Sequence, residues 1–152
     1  MLAEEAIKNA PTDVLCEAAG TLQKAHDFVE ANEFSMNYGA ARGETSCCFV
    51  GSVRQASGEY NDVNDYGPSK YLASELALSA LDMAARACGY KAAPWKSTPG
   101  GVAEATIVRE NDGSVRSGRL NKSTALETYR QALREMHLEL MSREDAPVGV
   151  PA

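Results

Sequence analysis

The sequence predicts a single α+β domain: three principal helices, one short helix and a small antiparallel β-sheet with a hairpin. Three features point there. Apolar residues recur at three- and four-residue steps along three long stretches, "EFSMNYG" alternates Phe34, Met36 and Tyr38 with polar residues, and an Asp-Gly pair separates two β-prone runs. The 152 residues show no internal repeat and no dividing linker, so residues 1–142 are expected to fold as one domain and 143–152 to form a tail.

The first segment, "LAEEAIKNA", has the composition of two helical turns and is stopped by Pro11. Thr12 or Asp13 then caps a second helix, whose face is Leu15, Ala18, Ala19, Leu22, Ala25, Phe28 and Val29 and which ends near Asn32. The alternating residues 34–38 read as a half-buried strand and "GAARGET" as a loop. Ser46 is an N-cap candidate for a short helix over "CCFVGSVRQAS", with Gly58 as its terminator. Past the polar loop "EYNDVNDYG", Pro68 suits a first helical position, where its missing N–H costs nothing. The Leu/Ala-rich run to Cys88, with Leu72, Leu76, Ala80, Met83, Ala84 and Ala87 on one stripe, reads as a central helix with Gly89 at its C′ stop. Residues 90–101 are irregular. Asp112-Gly113 fits the type I′ turn of a hairpin over 104–120, which pairs with the strand at 34–38 in the expected sheet. Thr124 and Glu127 resemble a capping box for a last helix carrying Leu126, Tyr129, Leu133, Met136 and Leu140.

With 44% hydrophobic and 24% charged residues, the composition is that of a globular protein. No apolar run approaches the roughly 18 residues needed to span a bilayer, and "MLAEEAIKNAP" carries acids where a secretory signal carries bases. A cytoplasmic location is the expectation. The net charge of −6 disfavours general nucleic-acid binding, which needs a concentrated basic surface. It is unevenly spread: residues 1–82 hold five basic and thirteen acidic side chains, whereas 86–122 hold seven basic and three acidic. Cys16, Cys47, Cys48 and Cys88 do not form a disulfide framework in a chain of this length, and buried reduced thiols are expected.

Several motifs invite a function. Tyr66 and Lys70 have the Tyr-x-x-x-Lys spacing of short-chain dehydrogenases, but only 65 residues precede Tyr66 and they contain no G-x-G-x-x-G turn after a strand. Pro68 also disfavours helical geometry at Gly67, so Tyr66 is expected before the helix rather than on it. "NDVNDYG" fails as a calcium loop: counting from Asp62, Tyr66 occupies a ligand position and Ala73 stands where the bidentate Glu belongs. No cofactor is expected. Adjacent Cys47 and Cys48 lack the gap of a zinc knuckle, and no second pair exists.

Two readings remain. If Ser46 caps the short helix, Cys48 lies in its first turn, where free N–H groups stabilise a thiolate; His26 and His137 are the candidate bases. Against this stands packing of Cys48 in the core. The second reading concerns the basic island. Pairing across Asp112-Gly113 sets Arg109 opposite Arg116, with Arg119 and Lys122 close in sequence, which suits an anionic partner surface. A solvated hairpin that discourages edge-to-edge association explains the same residues equally well.

The segment Cys48-Phe49-Val50-Gly51-Ser52, together with Trp95 and Asn121, resembles the Cys-Ala-x-Gly-Ala signature, the Trp and the Asn of family 6197 of domains of unknown function, found in actinobacteria and their phages. The likeness spans Val14 to Leu140. It departs at Phe34, where that family tends to have Trp, and at Lys122, where it tends to have Asp. The resemblance implies a phage or actinobacterial setting and no catalysis. The expectation is therefore a non-enzymatic accessory protein that binds a host or virion protein through Arg109, Arg116, Arg119, Lys122, Trp95 and Tyr66, with a homo-oligomer as a further possibility. The alternative is a cysteine-dependent hydrolase or transferase built on Cys48.

Overall fold

The computed structural model describes residues 3–35, 46–58, 68–88 and 121–144, and 87% of these are helical. In chain order they form α1 (Ala3–Asn9), α2 (Thr12–Ala31), β1 (Glu33–Phe34), β2 (Ser46–Cys47), α3 (Phe49–Ser57), α4 (Pro68–Ala87) and α5 (Lys122–Glu144).

The α+β expectation is overturned. Five helices make up the described fold, and strand structure is confined to a two-residue parallel contact that sets Glu33 beside Ser46 and Phe34 beside Cys47. Alternation over so few residues does not distinguish a sheet strand from an extended connection whose aromatic is tucked into a helical core. Phe34 is such a case: its ring meets that of Phe49 at 4.9 Å between centroids. The expected hairpin at 104–120 and residues 36–38 lie outside the described residues.

The long helices form as their periodicity dictates. On α2, Leu15, Ala18, Ala19, Leu22, Ala25 and Val29 are buried, one continuous stripe at helical spacing. On α4 burial extends round most of the circumference, from Ala73 through Leu76, Ala77, Leu78, Ala80 and Leu81 to Ala84 and Ala85. That pattern belongs to a helix surrounded by others, and α4 packs against α1, α2, α3 and α5. The small side chains allow close approach. Leu72, expected on the apolar stripe, is 54% exposed. No helix among the described residues is long and apolar enough to cross a membrane.

The helix ends differ from the sequence expectation in instructive ways. Neither Thr12 nor Asp13 caps α2, because Pro11 is the N-cap residue and makes no side-chain capping bond. The cap of α3 is Cys48, not Ser46, and Ser46 falls in β2. Gly58 does terminate α3, in the left-handed conformation at φ 80°, where its N–H reaches the carbonyls of Arg54 and Gln55. At α5 the box is formed by Asn121 and Thr124 rather than Thr124 and Glu127. Asn121 Oδ1 accepts the Thr124 amide at 3.1 Å, and Thr124 Oγ1 accepts the Asn121 amide at 2.8 Å. The helix then runs past Ser142 to Glu144, so Arg143 belongs to the fold and not to a tail.

Candidate functional site

Where α3 begins, the chain brings two thiols, a serine, a tyrosine and a histidine toward one another. Cys47 and Cys48 are 0% and 2% exposed. Cys48 Sγ accepts the Gly51 amide at 3.4 Å, so the sulfur satisfies one of the N–H groups that a helix start leaves open. Burial pushes the Cys47 thiol up to about 12, with the neighbouring Cys48 adding to the effect. Cys47 therefore stays protonated at neutral pH.

One helical turn into α3, Ser52 Oγ donates to Phe49 O at 2.8 Å and lies 2.5 Å from the Tyr129 hydroxyl on α5. Tyr129 is fully buried, and its ring meets Phe49 edge-on at 5.2 Å. Burial holds its phenol well above the ordinary value, the Ser52 hydrogen bond opposes that, and Cys47 and Cys48 reinforce it. His26 of α2 also stands edge-on to the tyrosine, at 6.2 Å. His26 Nδ1 meets Asp27 Oδ1 at 3.0 Å, while Nε2 is buried without a hydrogen-bond partner among the described residues. The His26 hydrogen bond is the main reason the exposed Asp27 carboxyl is held below its usual range, helped by Gln23.

The two candidate bases part company here. His26 shares Tyr129 with the thiol pair, whereas His137 is exposed eight residues further along α5, about 12 Å along the axis at the helical rise. The cluster is polar chemistry held inside a core: two buried thiols, of which Cys47 is held protonated, a phenol held neutral, and hydroxyls that bond to one another. No three potential metal ligands converge among the described residues.

Of the expected binding residues, Lys122 is described. Its ammonium donates to Asn32 O at 2.6 Å and so closes the C-terminal end of α2, where the helix dipole favours a cation. Tyr66, Trp95, Arg109, Arg116 and Arg119 lie outside the described residues. Lys70 stands on the first turn of α4, which starts at Pro68 as its sequence suggests.

The sequence reading missed Ser52 and Arg143. Ser52 gives one local signal, a hydroxyl on the inward face between Phe49 and Val53. Arg143 gives only the Glu139 spacing one turn back on α5, because its other partners sit on α1, at Ala10 and at the start of α2. Comparison of the chain with protein-family models, with curated proteins and with solved structures gives no match, and the resemblance carried by Cys48 to Ser52 gains no support from them.

Proposed function

We propose that the chain is a non-enzymatic accessory protein that works by binding another protein. What supports the reading is the use made of its reactive side chains: Cys47, Cys48 and Tyr129 are buried, and Cys48 Sγ and the Tyr129 hydroxyl are engaged in hydrogen bonds that join α3 to itself and to α5. Large apolar side chains instead reach solvent on the long helices, at Leu72, Leu138 and Met141. A cytoplasmic setting, and a phage or actinobacterial one, enter from the sequence and from the family resemblance. The partner is a host or virion protein in this reading.

The test is affinity capture with the tagged chain from actinobacterial cells, beside an Arg109→Glu, Arg116→Glu double variant. A partner recovered in fixed proportion by the native chain and lost with the variant supports the reading and assigns the basic island to it. A partner retained by the variant removes the island but keeps the binding role. Reaction of Cys48 with an acyl or alkyl electrophile in the folded chain, with His26→Ala slowing it, establishes the cysteine-dependent hydrolase or transferase instead.

A further inference from the structure

α1 is attached to the rest of the molecule in an unusual way. It has seven residues, too few to hold a helix in water without tertiary support. Its hydrophobic anchor is Ile7, 5% exposed, with Ala6 and Ala10 packed more loosely beside it. Further support comes from a residue 133 positions away from Ala10, Arg143 in the last turn of α5. One guanidinium nitrogen donates to Ala10 O at 2.8 Å and Thr12 Oγ1 at 3.0 Å; the other donates to Ile7 O and Lys8 O, each at 3.1 Å. Three of these acceptors are carbonyls that the end of a helix leaves without intrahelical partners. Nε is in turn held by Glu139 at 3.1 Å, so the fork is fixed before it meets α1.

The described residues leave a groove beside α1. Between α1, α4 and α5 lies a groove of about 220 Å³ lined by Glu4, Ile7, Lys8, Met83, Glu135 and Leu138. Only Ala10 and Pro11 join α1 to α2, and Pro11, at φ −56° and ψ 146°, prevents the two helices from running on as one. A short element with, among the described residues, one buried aliphatic anchor, a groove beside it and a sharp boundary is what opens as a separate unit at low free-energy cost.

We propose that α1 is a latched strap: it lifts from α4 and α5 as a unit while α2–α5 stay folded, with Arg143 as the latch and Ala10–Pro11 as the hinge. Opening widens the groove around Met83, Leu138 and the surface vacated by Ile7, with Glu135 and Glu139 also lining it. The inference does not depend on the binding role proposed above.

Native-state hydrogen exchange with increasing urea tests it on the full chain. The last-turn amides of α1 are expected to be protected, yet to exchange through an opening far more populated than global unfolding and nearly insensitive to urea. Arg143→Ala should raise their exchange at least roughly tenfold, since hydrogen bonds to a charged donor are among the stronger ones, and leave the slowest amides of α2 and α4 within about twofold. Arg143→Lys, which keeps the charge but loses the planar fork, should fall between. The proposal is overturned by α1 amides that exchange only with global unfolding, or by α1 amides with no protection in the native chain. Equal acceleration across all helices in Arg143→Ala also overturns it, since it makes Arg143 a general stabiliser and not a latch.

Discussion

Tyr129 donates its phenolic proton to Ser52. The two residues are 77 positions apart, and their oxygens lie 2.5 Å from one another inside the core. A serine hydroxyl has one proton, and that of Ser52 goes to Phe49 O, so the proton between the two oxygens comes from the tyrosine. The bond ties α5 to α3 at a point where both residues are buried.

The direction of that bond predicts unequal mutants. Tyr129→Phe removes the donor but leaves Ser52 bonded to Phe49 O, and should cost about 1 kcal/mol. Ser52→Ala strands the buried phenolic proton without an acceptor, and should cost about 2 kcal/mol or more despite the better helix propensity of alanine. Urea titration of both variants checks the order; a costlier Tyr129→Phe would reverse the assignment of donor and acceptor.

Cys48 acts as an N-cap through its sulfur, which predicts a pattern across three side chains. Cys48→Ala should lose about 1 kcal/mol, the usual cost of removing a capping acceptor. Cys48→Ser should retain much of the cap, since oxygen accepts the Gly51 amide more strongly than sulfur. A Cys48→Ser chain no more stable than Cys48→Ala would show that packing of the sulfur, and not the bond at 3.4 Å, holds this corner.

The long helices were legible in the sequence because a stripe such as Leu15, Ala18, Leu22, Ala25 and Val29 repeats its signal over 20 residues. The termination at Gly58 was legible for a local reason too, since few residues but glycine accept φ 80°. The caps were misassigned by small shifts: serine outranks cysteine as a capping residue in general, yet Ser46 is drawn into the contact with Glu33 and leaves Cys48 at the helix start. In sequence, Lys122 reads as part of a partner-binding basic island and Arg143 as part of a tail. Their targets, the carbonyls at Asn32 and at Ile7, Lys8 and Ala10, are far away in sequence and exist only once the helices have packed.

Asp27 carries a pH signature. Its carboxyl is held below the ordinary value of 3.8, first by the His26 hydrogen bond and then by Gln23, so the folded state favours its ionised form. The contribution is therefore present above about pH 4 and is lost as pH falls through the lower folded value. Thermal melts at pH 6 and pH 3 should show a smaller loss of Tm for Asp27→Asn than for the native chain. An equal loss would mean that other carboxylates account for the acid response.

The thiols should divide by location. Cys16 and Cys88 are exposed, and Cys47 and Cys48 are buried, so iodoacetamide at pH 8 should modify the first two in the folded chain and the second two only in urea. Cys47 also predicts an alkaline effect. Its thiol moves from an ordinary 9.0 to about 12 in the folded chain, so only the unfolded chain releases that proton readily as the pH climbs above 9. Stability is then fully present below pH 9 and declines on the way to 12. Tyr129, raised in the same direction, contributes its own decline above its ordinary 10.0, so the informative quantity is the difference between chains. Between pH 8.5 and 10.5, Cys47→Ala should lose less stability than the native chain. Parallel curves, or rapid alkylation of Cys48 at pH 8, would mean that the start of α3 opens to solvent in the native state and would return Cys48 to consideration as a nucleophile.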